Sequence, residues 1–365
     1  MQPEDAIDGD AGRAAIDWDA AARRAARVVR AGPPIDRPGL DALVSSLREA
    51  AADAPAYVAE VTRLPDAARA VESGTVLVLD RPRWAASAVD TFRTLTDGLL
   101  PATKMPGGAT LAGEQVGLLL ALLATRVLGQ YDPYARPASA ERPGRLVLVA
   151  PNVLHVQRQL GADPQDFHLW VCLHEQTHAV QFAAAPWLAD HLAEQIREIV
   201  GALADVPAQG RRLGDLLRGV RRVLEGPGES DDDDAPSSAT PSLLEAVLEQ
   251  PEQERMDHVL ATMSLLEGHA DVVMDAVGPR VIPSVATIRA SFEKRRDTRG
   301  TDLLIRRLLG MDAKLLQYRQ GAAFVRGVLD RVGHDGLAAV WATPDHLPTP
   351  AEILAPEAWV ARVHG

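Results

Sequence analysis

The chain has 365 residues, 47% of them hydrophobic and 24% charged, ordinary values for a globular protein with room for one large domain or two average ones. Its formal charge of −12 argues against a nucleic-acid partner, because gripping phosphates needs a basic surface. A single cysteine, Cys172, excludes an intrachain disulfide, and an acidic N-terminus with no apolar run long enough to cross a bilayer makes a cytoplasmic protein without membrane contact the expectation.

Residues 1–10 are polar and expected to be disordered. From residue 11 to about 74 the apolar periodicity predicts helices, including 17–31, 38–53 and 54–63, which form an N-terminal helical region packed on a catalytic unit spanning 75–365. Residues 75–80 and 145–150 are short apolar runs rich in β-branched side chains and read as strands. The second run is a candidate edge for adding an extended peptide. Helical patterns at 84–100 and 111–128 lie between them, and the Pro-rich stretch 132–144 reads as a loop.

Further helices are predicted over 166–184, 187–203 and 212–224. An acidic segment at about 226–241, with four consecutive aspartates, cannot bury enough apolar surface to order itself, and its spacing matches no calcium loop. Order is expected to resume in helices over 252–277, 285–297, 302–309 and 312–332, followed by a proline-punctuated tail of short turns. The expected fold class is mainly α with a small β element.

The chemistry lies in the segment VCLHEQTHAVQF, residues 171–182. On a helix, His174 and His178 stand one turn apart on one face, so both imidazoles can reach one ion. Glu175 then lies beside that ion, placed to take a proton from a zinc-activated water. Catalytic zinc usually has three protein ligands, and the third is sought in SLLEGHAD, residues 264–271. Glu267 and His269, two residues apart, point to nearly opposite sides of a regular helix, so only one can face the ion. Glu267 is chosen, with Asp271 one turn further on to receive the N–H of a ligating histidine. His269 is the alternative ligand, but its apolar neighbours suit a core histidine.

For the oxyanion of an amide hydrolysis the candidates are Tyr318 and, if the helix bends at Gly268, His269. Cys172 is roughly 200° around the helix from His174 and is expected to face the core. The remaining histidines have no partner at ligand spacing.

The His-Glu-x-x-His helix followed by Glu-x-x-x-Asp on a later helix resembles the gluzincin branch of the zincin metallopeptidases. More narrowly, residues 128–133, 174–182, 267–275, 314–321 and 341–359 together resemble a largely actinobacterial family of zincin-like hydrolases and zinc-dependent metalloproteases. The resemblance runs from about residue 75 to the end. It implies a zincin-like fold and zinc, with His174 and His178 as ligands, Glu175 as base and Glu267 as third ligand. The function expected is hydrolysis of a peptide or a small non-peptide amide. The competing reading is a catalytically silent scaffold or partner-binding protein that keeps the metal site, against which the intact Glu175 counts.

Overall fold

The computed structural model describes residues 15–101, 103, 105–135, 144–204, 250–298 and 320–365. The sequence readings on residues 1–10, on the helices at 212–224 and 302–309, on the acidic segment and on Tyr318 lie outside the described residues.

Helix α1 (Trp18–Val28) is followed by α2 (Arg37–Thr62), α3 (Pro65–Glu72), strand β1 (Thr75–Leu79), α4 (Arg81–Thr96) and α5 (Gly108–Leu123). Strands β2 (Gly129–Asp132) and β3 (Arg145–Val149) come next, then α6 (Ala150–Leu160), α7 (Pro164–Ala184) and α8 (Leu188–Ala204). The last part holds α9 (Gln250–Val277), α10 (Val285–Thr298), α11 (Gly321–Leu337), α12 (Pro350–Leu354) and α13 (Pro356–His364). The architecture is mainly helical with one small sheet, as the sequence implies.

Helices α2, α4 and α7 start with one local device. Asp36, Asp80 and Asp163 each accept a backbone N–H from the first turn, and a proline occupies the first or second helical position, where its missing N–H costs nothing.

The periodicity predicts two helices where the structure has one, α2, running through Pro55. Proline has no N–H for the carbonyl four residues back, here that of Ala51. That carbonyl instead accepts the side-chain amide of Gln176 on α7, at 2.9 Å and buried. Leu47, Ala51, Ala54 and Val58 keep one apolar face continuous across the proline, and burying it against α7 outweighs the lost ladder bond.

The sheet has the order β1-β3-β2, with β1 parallel and β2 antiparallel to β3. β3 is therefore the central strand, which removes it as an edge for peptide addition. Its residues alternate between two cores. Leu146 and Leu148 join α2, α6 and α7 on one face, while Val147 and Val149 join α1, α4 and α5 on the other. A third core, around Leu265, Phe324, Val325 and Trp359, ties α9 to α11 and the C-terminal helices. Among the described residues no helix is long and apolar enough to cross a membrane.

α7 lies at the centre and is buried on nearly every side, so its polar side chains need partners inside the protein. Cys172 faces the Leu47 carbonyl, Thr177 bonds back to Leu173, and His168 Nδ1 meets the Ser46 hydroxyl at 2.8 Å. Burial pushes the His168 imidazole down from 6.5 to about 4, against the pull of Asp163. In the unfolded chain the same group takes its proton near 6.5, so folding is favoured fully above that value and loses ground as pH falls towards 4. The loss attributable to His168 is expected to reach about 3 kcal/mol over that window. It is read as the difference between wild type and His168→Gln in denaturant titrations of metal-free protein at pH 7 and pH 4.5. An equal pH dependence in both proteins would refute it.

Candidate metal centre

The two histidines and the glutamate before the second of them sit in the middle of α7, and α9 crosses that helix with Glu267 turned toward it. His174 Nε2 and His178 Nε2 are 3.3 Å apart. Glu267 brings Oε2 to 3.5 Å from the first and Oε1 to 3.6 Å from the second. Donor atoms bound at about 2.0–2.2 Å to a tetrahedral zinc ion lie about 3.3–3.6 Å from one another. The two nitrogens are thus already one such edge apart, each faces a different oxygen of the Glu267 carboxylate, and one donor atom from each residue lies within 4.8 Å of the others; nitrogen, nitrogen and carboxylate oxygen are donors that zinc accepts. Among the described residues this is the one group of three His, Cys, Asp or Glu side chains close enough to hold an ion.

Glu267 is half exposed while His174 and His178 are largely covered. The centre is reached from solvent on the carboxylate side.

Glu175 stands beside the centre and is 8% exposed. The backbone N–H of Tyr131 on β2 donates to its carboxylate. Burial, and then the neighbouring Glu267 carboxylate, push its pKa up to about 8, with the Tyr131 N–H working the other way. A cation held by the three donors would also favour the ionised form.

Gly129, two residues before Tyr131, lies against the same side chain. A Cβ there would fall 2.6 Å from Glu175 Cγ and 2.9 Å from its carboxyl carbon. β2 therefore clamps Glu175 with one hydrogen bond and one bare backbone.

The register explains why that N–H is free to do so. Val149 N–H donates to Leu128 O, and bonded pairs alternate along an antiparallel ladder. Gln130 and Asp132 then turn their backbone groups toward β3, while Gly129 and Tyr131 turn theirs to the outer edge. No strand pairs with that edge among the described residues.

His269 is 3% exposed and stands away from the cluster. Its Nδ1 meets the Gln181 side-chain nitrogen at 3.0 Å, and its ring packs on Trp341 with centroids 5.4 Å apart. Burial, with His178 and His334 adding to it, pushes its imidazole down to about 3, so it is neutral. α9 runs unbroken through Gly268, so the bend that would turn His269 toward the substrate does not occur.

Asp271 is half-buried one turn past Glu267. For His178, the place expected for a supporting acceptor holds Gln181, whose Oε1 is 2.9 Å from His178 Nδ1. The sequence reading passed over Gln181, although its position three residues after His178 puts it on the same helix face. His174 Nδ1 lies 3.3 Å from the sulfur of Met274.

No curated protein matches the chain. A solved structure, described as "a putative hydrolase with a novel fold" from Chloroflexus aurantiacus, is 30% identical and superposes with a TM-score of 0.65, covering 96% of this chain and 99% of that one. The family model for zincin-like metallopeptidases matches residues 16–360, which takes in the helices before β1 as well as the metal helix. The chain belongs to the zincin-like metallopeptidase family.

Proposed function

We propose that this protein is a zinc-dependent metallopeptidase in which His174, His178 and Glu267 hold the ion and Glu175 is the general base. The observation that carries the reading is the setting of Glu175, a buried carboxylate gripped by β2 at the side of three converging donors. A purely structural metal site has no use for such a group. Family membership supports hydrolysis in general terms, as does the description of the similar Chloroflexus protein.

Zinc in this position would supply a Lewis acid that polarises a carbonyl and brings the pKa of water toward neutrality. Glu175 takes the proton from the attacking water and hands it to the leaving amine, acting first as base and then as acid. The Tyr131 N–H keeps the carboxylate from swinging away while it is unprotonated. The outward carbonyls of Gly129 and Tyr131 offer acceptors to the N–H groups of an extended chain lying along β2. Met263, 42% exposed on α9 one turn before Glu267, gives a side chain of that substrate an apolar contact. An edge acceptor row beside the base favours a peptide over a small amide, which would use neither.

Metal removal tests the reading. Purified protein is expected to carry one zinc per chain and to cleave members of a peptide library, scored by mass spectrometry. Dialysis against a chelator should abolish cleavage, and zinc should restore it where magnesium does not. Cleavage that persists in protein shown to be metal-free would sink the proposal.

A further inference from the structure

Gln181 lies within α7 one turn beyond His178 and is fully buried. Its side-chain nitrogen is 2.9 Å from the Leu266 carbonyl oxygen and 3.0 Å from His269 Nδ1, and its oxygen is 2.9 Å from His178 Nδ1. These contacts determine where the protons are. A backbone carbonyl can only accept, so the atom facing Leu266 is the amide nitrogen. The other end is then the oxygen, which also only accepts, so His178 carries its proton on Nδ1. A neutral imidazole protonated there has its lone pair on Nε2, the atom that faces His174 and Glu267. The second amide hydrogen meets His269 Nδ1, which must therefore be a bare acceptor. One carbonyl thus fixes the orientation of an amide and the tautomers of two histidines.

We infer that Gln181 is a positioning residue that sets the tautomer of His178 and thereby the metal affinity of the centre, with the Leu266 carbonyl and His269 locking Gln181 in that one orientation. His269 then belongs to the support of a ligand, and α9 contributes to the centre twice, through the Glu267 carboxylate and through the two acceptors that hold Gln181. The inference rests on the metal reading of His178 proposed above. The general reason is that a fixed acceptor behind a ligating imidazole orients its ring and raises its basicity.

Gln181→Leu and Gln181→Glu separate positioning from packing. Leucine fills the space but removes the acceptor. Glutamate keeps the acceptor, loses both donors and brings a charge into the core, so packing alone makes it the worse of the two. Zinc affinity is measured by competition with a chromogenic chelator, and the histidine tautomers of metal-free protein by two-bond proton–nitrogen correlations. The leucine variant is expected to bind zinc about 10–100-fold more weakly, with the glutamate variant staying near wild type. The wild-type spectrum should show the His178 proton on Nδ1.

Wild-type affinity in Gln181→Leu, or Gln181→Glu as weak as Gln181→Leu, would overturn the inference, as would a His178 proton on Nε2. A wild type that binds no zinc is a distinct result. It would overturn the metal reading and the affinity claim together, and the spectrum would still judge the tautomer.

Discussion

Replacing Glu175 with glutamine is expected to leave zinc in place and cut kcat by about 10²–10⁴-fold, the range for losing a general acid–base group. Glutamine has the same shape and still accepts the Tyr131 N–H, so the clamp by β2 is kept. What it lacks is the ability to take a proton and give it back. Glu267→Ala should show the opposite pattern. Losing one of three donors is expected to weaken zinc by more than about 100-fold, since removing a supporting partner alone costs about 10–100-fold. The two variants are compared by metal content after gel filtration and by turnover of whichever peptide the wild type cleaves. Unchanged turnover in Glu175→Gln would remove the base from the mechanism, and full zinc retention in Glu267→Ala would remove the carboxylate from the site.

Gly268→Ala is expected to destabilise the fold by about 3 kcal/mol or more, although alanine is intrinsically the better helix former by about 1 kcal/mol. The reason is the close approach of α9 and α11. A Cβ on Gly268 would lie 2.1 Å from the Gly321 carbonyl carbon and 2.3 Å from the Ala322 nitrogen. All of these atoms are backbone, so no side-chain rotation relieves the clash. The helices have to separate, which opens the core around Leu265, Phe324 and Val325 and shifts Glu267, the adjacent residue. Gly201 on α8 is the control, because a Cβ there meets nothing within 4 Å. The same substitution at Gly201 should stabilise by about 1 kcal/mol. Denaturant titration of both variants checks the opposite signs; two changes of one sign would show that the helix contact is not the deciding effect.

The metal helix was readable because its information is local. His174 and His178 share a face through their spacing alone, and the segment contains no helix breaker. The separation of Glu267 from His269 also needed only the helical period, and in the structure one reaches the imidazoles while the other packs on Trp341. β1 and β3 were legible from their β-branched apolar runs. β2 was not, since Gly129-Gln130-Tyr131-Asp132 has a poor strand composition and becomes a strand through its ladder with β3. With it was lost the grip on Glu175, which is made by a backbone N–H and a missing side chain, neither of which a sequence pattern displays. The unity of α2 was hidden because Pro55 is locally a breaker, and only a distant amide supplies the bond it cannot make.

That amide belongs to Gln176, the first of the two positions that a His-Glu-x-x-His search leaves blank. In this molecule the blank is a tether: it plugs the gap a proline opens in a helix more than a hundred residues upstream. The five-letter pattern therefore does two jobs at once, its named letters lining the candidate metal centre and an unnamed one bolted to the scaffold behind. A helix carrying the named letters alone, grafted into another protein, would bring the donors without the anchor that sets their rotation about the helix axis.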